Sequence, residues 1–463
     1  MLTFFPKFFS KRAIVCYIIT LSIISFVFMR YALPFQFVMF GLVEVFLFFY
    51  FSSELSRNWR SQSPRRFKKN LFVTALVVRV IYVVFMYFYY IEMTGMPYMY
   101  HVADELLYAY YGDLLANHGL EDFLWQIRGI SLSDSGYCWW MGIVYSVFGA
   151  HVLSDRIVKC ILDAFSCVLL YNLGKRSFGE FTGRMAALFY LFLPNTWYYC
   201  GLTLKEPLMI FLVILYAERG DLVLRSRKVE LKDLIIPAIA ILLMFTFRTA
   251  LGAVMFAALA AGIVFTSGKQ LETWKKVLYS IVFAVWMMMT VGVEIIQETQ
   301  ELWQGSTNNQ ALGYEWRAET NSFAQYASAA VFAPFIFTIP FSSMVNIINQ
   351  ENQMIINGSN FIKNIMSGFV IFALFSLLFS GEWRKHVLPL AAMCGYLVVL
   401  VFSNFAHAER FHFPVMGLEL LFAAYGVSLV KNKQKRWYTF WLMFVCVANI
   451  AWAYVKLAGR GLT

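Results

Sequence analysis

The stretch of sequence that decides the fold is residues 70–91, NLFVTALVVRVIYVVFMYFYYI. A mostly apolar helix of this length crosses the ~30 Å hydrocarbon layer of a lipid bilayer. The segment just before it, residues 57–69, carries six basic side chains, and such a run marks the cytoplasmic side of a membrane. The span therefore runs outward and places the residues that follow it on the outer face.

Apolar runs of this kind recur along the whole chain. Of its 463 residues, 60% are hydrophobic and 14% are charged, whereas a soluble domain usually has about 45–50% apolar and about 25% charged residues. We therefore predict an all-α polytopic integral membrane protein. The net charge of +11 does not indicate binding to nucleic acid, because the basic residues are gathered between spans, where they set topology and contact membrane lipids.

The predicted spans number about 13 and cover residues 13–31, 35–52, 70–91, 155–174, 183–199, 204–219, 234–247, 250–266, 276–295, 362–380, 386–404, 412–430 and 438–456. Two outer loops are long. In the first, residues 92–154, amphipathic pieces at 104–118 and 137–150 predict interfacial helices. In the second, residues 296–361, we interpret apolar 327–345 as a re-entrant or interfacial helix pair, because a crossing there would place the later basic runs outside.

No internal repeat and no soluble domain is evident, so the chain divides only by its membrane segments. We predict an N-terminal transmembrane hairpin with a basic cytoplasmic loop at 1–69, a catalytic transmembrane unit at 70–430, and a C-terminal basic loop with the last helix at 431–463. The seven cysteines contain no Cys-x-x-Cys pair, which favours neither a metal knot nor a disulfide framework.

With this topology, unusual polar residues collect at the outer rim: His101, Asp104, Glu105, Lys205, Glu206, Arg248, His407, Glu409, Arg410 and His412. Acids, guanidiniums and imidazoles gathered at one rim indicate a reaction site. The adjacent pair Asp104-Glu105 is costly to keep near hydrocarbon. It is therefore either a solvated helix N-terminus, where acids favour the dipole, or a group for acid–base or metal chemistry.

Several short motifs follow one another along the chain: Asp104-Glu105-x-x-Tyr108, the Trp- and Tyr-rich stretch ending at Phe148-Gly149, Arg156, Leu173-Gly174-Lys175-Arg176, Phe178-Gly179, Leu193-Pro194, Lys205-Glu206 and Glu409-Arg410-Phe411-His412-Phe413-Pro414. In their order and on their side of the membrane, these motifs resemble the GT-C superfamily, and more narrowly glycosyltransferase family 39, with its protein O-mannosyltransferases and lipid A aminoarabinose transferases. The resemblance covers roughly residues 70–430 and implies a GT-C-type bundle. The chain departs from the family in lacking a Lys-Pro-Pro segment before its Trp pair and in its extra hairpin at 13–52.

The resemblance implies transfer of a sugar from a polyprenyl-phosphate donor to an acceptor glycan, lipid or protein at the outer face of the membrane. A bacterial inner membrane, with the site facing the periplasm or cell exterior, is the expected location. An acceptor hydroxyl needs a nearby base, for which we expect Asp104, with Glu105 and Glu206 completing the catalytic acids. Asp104 and Glu206 are also candidate ligands for Mg²⁺, Mn²⁺ or Ca²⁺.

The leaving group would be a lipid phosphate, which cations in a low-dielectric rim stabilise best. Lys205, Arg248 and Arg410 are placed for that role. No nucleotide cofactor is expected, since the chain has no Gly-rich phosphate loop. Contacts to substrate are expected from His101, Tyr108, Trp139, Trp140, Tyr199, His407, Glu409 and His412.

Other interpretations stay open. An O-antigen-type polymerase or ligase would need Arg and His in a large outer loop, but residues 296–361 contain no histidine. A lipid-linked sugar transporter or flippase would favour repeated halves and charges near the bilayer midplane. Lys205-Glu206 also suits an ordinary helix start before Pro207, and Trp139-Trp140 suits an aromatic belt.

Overall fold

The computed structural model describes residues 4–102, 104–225, 231–265, 334–402, 408–430 and 434–462. Helices dominate these ranges, which contain no β-strand beyond an isolated backbone bridge between Ala32 and Val345. In chain order the α-helices are α1 (Lys7–Val27), α2 (Phe35–Phe46), α3 (Ser52–Asn58), α4 (Pro64–Thr94), α5 (Asp104–Asp113), α6 (Leu120–Ile127), α7 (Leu132–Phe148), α8 (Val152–Phe178), α9 (Glu180–Phe192), α10 (Pro194–Cys200), α11 (Glu206–Arg225), α12 (Leu231–Phe247), α13 (Thr249–Phe265), α14 (Glu351–Ile355), α15 (Asn357–Ser380), α16 (Val387–Phe402), α17 (Glu409–His412), α18 (Met416–Leu429) and α19 (Gln434–Ala458).

Many of these helices are long and apolar enough to cross a membrane, so the chain is an all-α polytopic integral membrane protein, as predicted. Within the described ranges there are eight such stretches: Lys7–Val27, Phe35–Asn58, Pro64–Thr94, Val152–Phe178, Asn357–Ser380, Glu382–Val401, Glu409–Leu429 and Lys435–Ala458. Two shorter apolar helices, Ile235–Phe247 and Thr249–Phe265, fall on further predicted spans. The predicted span at 276–295 lies outside the described residues, and the total of about 13 remains a prediction.

Helix α4 shows how local sequence sets the bounds of a span. The hydroxyl of Ser63 accepts a hydrogen bond from the backbone N–H of Arg66 at 3.4 Å, and Pro64 occupies the first turn, an arrangement typical of helix starts. The helix ends at Gly95, whose φ of +78° only glycine adopts without strain. Its first turns are basic and lie before the apolar run, which is why the helix begins earlier than the predicted 70.

The centre of the bundle is built around α8, which packs against α4, α9 and α11. The approach to α9 is close: a Cβ added to Gly174 would lie 2.8 Å from the Cα of Gly183. The run continuing from α9 breaks at Leu193-Pro194, because proline has no backbone N–H to continue the helical hydrogen bonding. The short α10 that follows is fully buried and turns Asn195 and Tyr199 toward α17.

Helices form at both of the pieces predicted in the loop 92–154, and their interfacial position remains a prediction. The expected pieces at 104–118 and 137–150 correspond to α5 with a π-helical turn at Leu114–His118, and to α7. The short α6 between them was not predicted. In the loop 296–361, the helix pair expected within 327–345 is not seen in its described part: residues 334–338 form a 3₁₀ turn and a turn, and residues 339–345 have no helix.

One end of the bundle gathers segments that are far apart in sequence. The side-chain amide of Asn352 donates to the carbonyl of Tyr100 at 2.8 Å, and the backbone N–H of Asn346 donates to the carbonyl of Tyr31 at 2.8 Å. The basic loop before α4 lies at the other end, where the Arg184 guanidinium donates to its backbone. The two ends of the bundle therefore differ, because the basic loop lies at only one of them.

Candidate active site

The centre of the candidate site is a guanidinium held between two acids. Arg410, in α17, donates from Nη1 to Asp104 Oδ2 at 2.5 Å and from Nε to Glu206 Oε1. Asp104 is the first residue of α5 and Glu206 the first of α11. The exposed fractions of the side chains differ: 44% for Asp104, 25% for Arg410 and 0% for Glu206. Asp104 is therefore partly exposed at the surface, and Glu206 is buried beneath the guanidinium.

A second guanidinium reaches the same buried acid. Arg248, between α12 and α13, lies with Nη2 3.7 Å from Glu206 Oε1 and donates from Nη1 to the hydroxyl of Tyr396 at 3.0 Å. Its guanidinium also lies 4.3 Å from the centroid of the Phe411 ring, a cation–π distance. Glu206 Oε1 thus orients two guanidiniums, while its Oε2 is buried without a partner among the described residues.

Lys205 binds an acid that the sequence analysis missed. Its ammonium lies 2.6 Å from Asp134 Oδ1 and 2.6 Å from the carbonyl of Ser133, while the Tyr108 hydroxyl donates to the same Asp134 oxygen at 2.5 Å. Burial alone would raise the pKa of Asp134, but Lys205 outweighs it and lowers that pKa. The only sequence signal for Asp134 was its place in a polar segment of the first outer loop.

Glu105 does not share the environment of Asp104. Its fully buried carboxylate accepts from the backbone N–H groups of Met99 and Thr203 at 2.8 and 2.5 Å, and pairs with Arg156 Nη2 at 3.3 Å. Arg156 also donates to the carbonyl of Pro97 at 2.6 Å. These bonds connect the start of α5 to the turn that precedes Lys205-Glu206. Glu105 therefore helps to fix the position of Asp104 relative to Glu206.

The predicted Trp pair is held by packing. Trp140 donates from Nε1 to Asp155 Oδ1 at 2.7 Å, and the Trp139 ring lies 4.6 Å from that of Phe123. The neighbouring Asp155–Lys159 pair, at 2.6 Å, is fully buried. Both tryptophans are half-buried, and within the described ranges neither forms a hydrogen bond with Asp104, Glu206, Arg248 or Arg410.

The remaining predicted residues lie around this centre. Glu409 is buried and accepts from the Asn195 side-chain amide and the Tyr199 hydroxyl, which holds the start of α17 against α10. His412 is fully buried. His101 is more than half exposed and bonds to Glu351 at 3.0 Å. His407 lies outside the described residues.

The structure therefore brings together Asp104, Glu206, Arg248 and Arg410 directly, with Lys205 adjoining. No group of three or more potential metal-binding His, Cys, Asp or Glu residues occurs in the described ranges. Between Asp104 and Glu206, the two predicted ligands, lies the guanidinium of Arg410.

Two family profiles match the sequence. The profile of the dolichyl-phosphate-mannose-protein mannosyltransferases matches residues 136–293, and that of the Alg9-like mannosyltransferase family matches residues 354–458. Both are families of GT-C glycosyltransferases. The two matches, each over less than half of the chain, support a membrane glycosyltransferase of the GT-C superfamily. Lys205, Glu206 and Arg248 lie within the first match and Arg410 within the second, whereas Asp104 precedes both.

The enzyme class expected from the sequence, a membrane glycosyltransferase, is the class of both matching families. No curated protein sequence matches the chain. A solved structure similar to this chain is the archaeal oligosaccharyltransferase AglB from Archaeoglobus fulgidus, in complex with an inhibitory peptide and a dolichol-phosphate, at 12% identity and a TM-score of 0.41. The match covers 86% of this chain and 56% of that one, so this chain spans little more than half of that protein's length.

Proposed function

We propose that this enzyme transfers a sugar from a polyprenyl-phosphate donor to an acceptor glycan, lipid or protein at the outer face of the membrane. The observation that carries the proposal is the bridge from Asp104 through Arg410 to Glu206. It joins an accessible carboxylate to a cluster of cations, which are the two functions that this transfer requires.

The cations suit a phosphate leaving group. Arg248 and Arg410 are planar donors that match phosphate oxygens, and Glu206 orients both. The two contacts that Arg410 makes with acids use Nη1 and Nε, so neither occupies Nη2. Lys205 adds a third, nearly buried cation, and partial burial makes each charge interact more strongly than it would in water.

Asp104 suits the base. An acceptor hydroxyl would give its proton to this carboxylate as its oxygen bonds to the sugar carbon, and the bond from that carbon to the phosphate oxygen would break with its electron pair going to the phosphate. A phosphate bound at Arg410 would compete for the guanidinium that pairs with Asp104. The carboxylate would then lose a stabilising partner and become a stronger base, so donor binding would prepare the acceptor's base.

A divalent cation is not part of this mechanism. Asp104 and Glu206 are two carboxylates of unequal burial with the guanidinium of Arg410 bound between them, so a cation that contacted both acids would have to displace a fixed positive charge. This donor set does not fit a resident metal ion, and we derive no step from one. The positive charge that a metal would supply comes here from the arginines.

The outer location rests on charge. The cluster lies at the opposite end of the bundle from the basic loop that precedes α4, and basic loops mark the cytoplasmic side. In a bacterial inner membrane the site would therefore face the periplasm. We also propose the division of the chain expected from the sequence, in which the hairpin at 1–69 and the helix within 431–463 flank the catalytic unit at 70–430.

The test is Asp104→Asn, which keeps shape and removes the charge. With the purified chain, tritiated mannose linked to dolichyl phosphate and a membrane-extract acceptor, we expect transfer to fall about 100- to 10,000-fold, the usual contribution of a positioned base. Asp113→Asn is the matched control, because Asp113 ends the same helix and bonds only locally, to Asn117 at 2.6 Å. It should leave transfer unchanged.

Wild-type turnover in Asp104→Asn would remove Asp104 from the reaction. A purified wild-type chain that moved the labelled lipid across proteoliposomes without forming a glycosidic bond would instead support the transporter interpretation. The two outcomes are separated by analysing the label as free lipid, lipid donor and acceptor-bound sugar.

A further inference from the structure

A cavity at the end of the bundle opposite the candidate active site is not used by the proposed reaction. It has a volume of about 170 Å³, room for roughly five or six waters at ~30 Å³ each. Its walls are mostly apolar and include Trp59, Phe67 and Phe181, while Arg60, Glu180 and Arg184 also line it. A cavity of this size holds a head group rather than a whole lipid.

Arg184 builds the frame of this cavity. Its guanidinium donates to the backbone carbonyls of Trp59 and Gln62, both at 2.7 Å, and to Glu180 Oε1 at 2.7 Å. It also lies 4.7 Å from the centroid of the Phe67 ring. The loop 59–62 is thereby tied to α9 and to the first turn of α4. A preformed frame of this kind lowers the entropy lost when a ligand binds.

The cavity has an excess of positive charge. Its acid, Glu180, is already paired with Arg184 and with Lys175, the latter at 2.9 Å. Burial alone would raise the pKa of Glu180, but its hydrogen bonds with Lys175, Arg184 and Tyr171 lower that pKa. By contrast, five side chains of the adjoining loop and first turns have no ion pair within the described part of the chain: Arg60, Arg65, Arg66, Lys68 and Lys69.

An exposed apolar stripe leads away from this basic rim along α4. Val73, Val77 and Ile81 are 48%, 50% and 65% exposed and lie at helical spacing, so they share one face. Arg66 begins the same stripe, seven residues before Val73. A soluble phosphate would use only the cations, whereas an apolar stripe continuing from them suits acyl chains.

We propose that the cavity framed by Arg184 is a binding site for an anionic phospholipid. Its head-group phosphate contacts Arg60 and Arg66, the glycerol end enters between Trp59, Phe67 and Phe181, and the acyl chains lie along the α4 stripe. Cationic and aromatic side chains together at a bilayer surface are the chemistry that recognises such head groups.

The experiment uses native mass spectrometry of the purified full chain in detergent, mixed with equal amounts of phosphatidylglycerol and phosphatidylcholine. We expect the wild-type chain to retain phosphatidylglycerol preferentially. Arg60→Gln should lower the bound fraction of phosphatidylglycerol about fivefold, the usual effect of one cation at an anionic surface, and leave phosphatidylcholine unchanged. Arg384→Gln is the matched control, because Arg384 is an exposed cation beside a tryptophan, 5.6 Å from the Trp383 ring, near the end of α15 and away from the cavity.

Equal retention of the two lipids by the wild-type chain would overturn the proposal. So would the same loss in Arg60→Gln and Arg384→Gln, which would reflect overall charge alone. A third arm adds glycerol 3-phosphate at millimolar concentration: full displacement of phosphatidylglycerol would show a site for free phosphate esters and overturn the lipid assignment, whereas little displacement supports it. Because Arg60 is exposed, its substitution should not affect folding, and circular dichroism checks this.

Discussion

Two adjacent acids should respond in opposite ways to the same chemical change. Asp104→Asn and Glu105→Gln each replace a carboxylate by its amide and keep the size of the side chain. Asp104 is 44% exposed and contacts Arg410 at the open side of the cluster. Glu105 is 0% exposed and pairs with Arg156, which is also 0% exposed. From their burial we therefore expect Asp104→Asn to lower the rate of sugar transfer and Glu105→Gln to lower the stability of the fold.

The magnitudes follow from these contacts. A part-exposed ion pair such as Asp104–Arg410 contributes about 0.2–1 kcal/mol to stability. Loss of one partner from a buried pair costs about 3–5 kcal/mol, and Glu105→Gln also places an amide N–H₂ beside one of the two backbone N–H donors, Met99 or Thr203, that the carboxylate accepts from. An unpaired buried donor costs about 1–3 kcal/mol. Since these costs overlap, we expect a loss of about 3–5 kcal/mol for Glu105→Gln and less than ~1 kcal/mol for Asp104→Asn.

The assay measures two quantities for each variant: the free energy of unfolding, from helical circular dichroism during titration with sodium dodecyl sulfate, and sugar transfer per mole of folded protein. Asp104→Asn should unfold close to the wild type but transfer about 100- to 10,000-fold more slowly. Glu105→Gln should be clearly destabilised, with the folded fraction retaining most of its turnover. A Glu105→Gln protein that was as stable as the wild type and as inactive as Asp104→Asn would refute this reasoning, because Glu105 would then act in the reaction itself.

Two further predictions concern the cations. Arg410→Lys should lower kcat/KM for the lipid donor about 10- to 150-fold, because an ammonium cannot bind both acids and a charge-assisted hydrogen bond of about 1.5–3 kcal/mol is lost. Steady-state kinetics test this, with the remote Arg384→Lys variant as the control. An unchanged kcat/KM would contradict the prediction. Because the pKa of Asp134 is lowered in the folded chain, its pairing stabilises the fold above the usual aspartate pKa of about 3.9 and is lost as the pH falls through the lower, folded-state value. Lys205→Met should remove this lowering and leave burial to raise that pKa, so the loss of melting temperature on acidification that Asp134 contributes should disappear in the variant. Coincident curves of melting temperature against pH would show that Lys205 does not set the pKa of Asp134.

The spans were predictable because each is decided by local sequence. Residues 70–91 are apolar enough to define a crossing, and the observed helix Pro64–Thr94 contains them entirely. The ends were less predictable, since they depend on Ser63, Pro64 and Gly95 rather than on hydropathy. Residues 334–345 were misinterpreted as part of a helix pair, because an apolar run of that length does not distinguish a helix from another buried segment.

The composition of the site was predictable from topology, but its pairings were not. Neighbouring residues on a helix point about 100° apart, so sequence alone could not tell which of Asp104 and Glu105 faces Arg410. Asp134 was missed for a similar reason: a single acid in a polar segment is ordinary until Lys205 is found 2.6 Å away. Only the tertiary fold distinguishes these side chains from solvated ones.

The links that define the site join residues far apart along the chain. Asp104 and Arg410 are 306 positions apart, Glu206 and Arg410 are 204 apart, and Lys205 and Asp134 are 71 apart. Each link lies between the ends of different helices, where one carboxylate or one guanidinium serves two elements. A change in the packing of α5, α11 or α17 would therefore alter the proposed base and the proposed phosphate site together, because Arg410 contacts or belongs to both. The packing of the bundle positions residues at helix ends, and a site built on them is held more precisely than one built on loops.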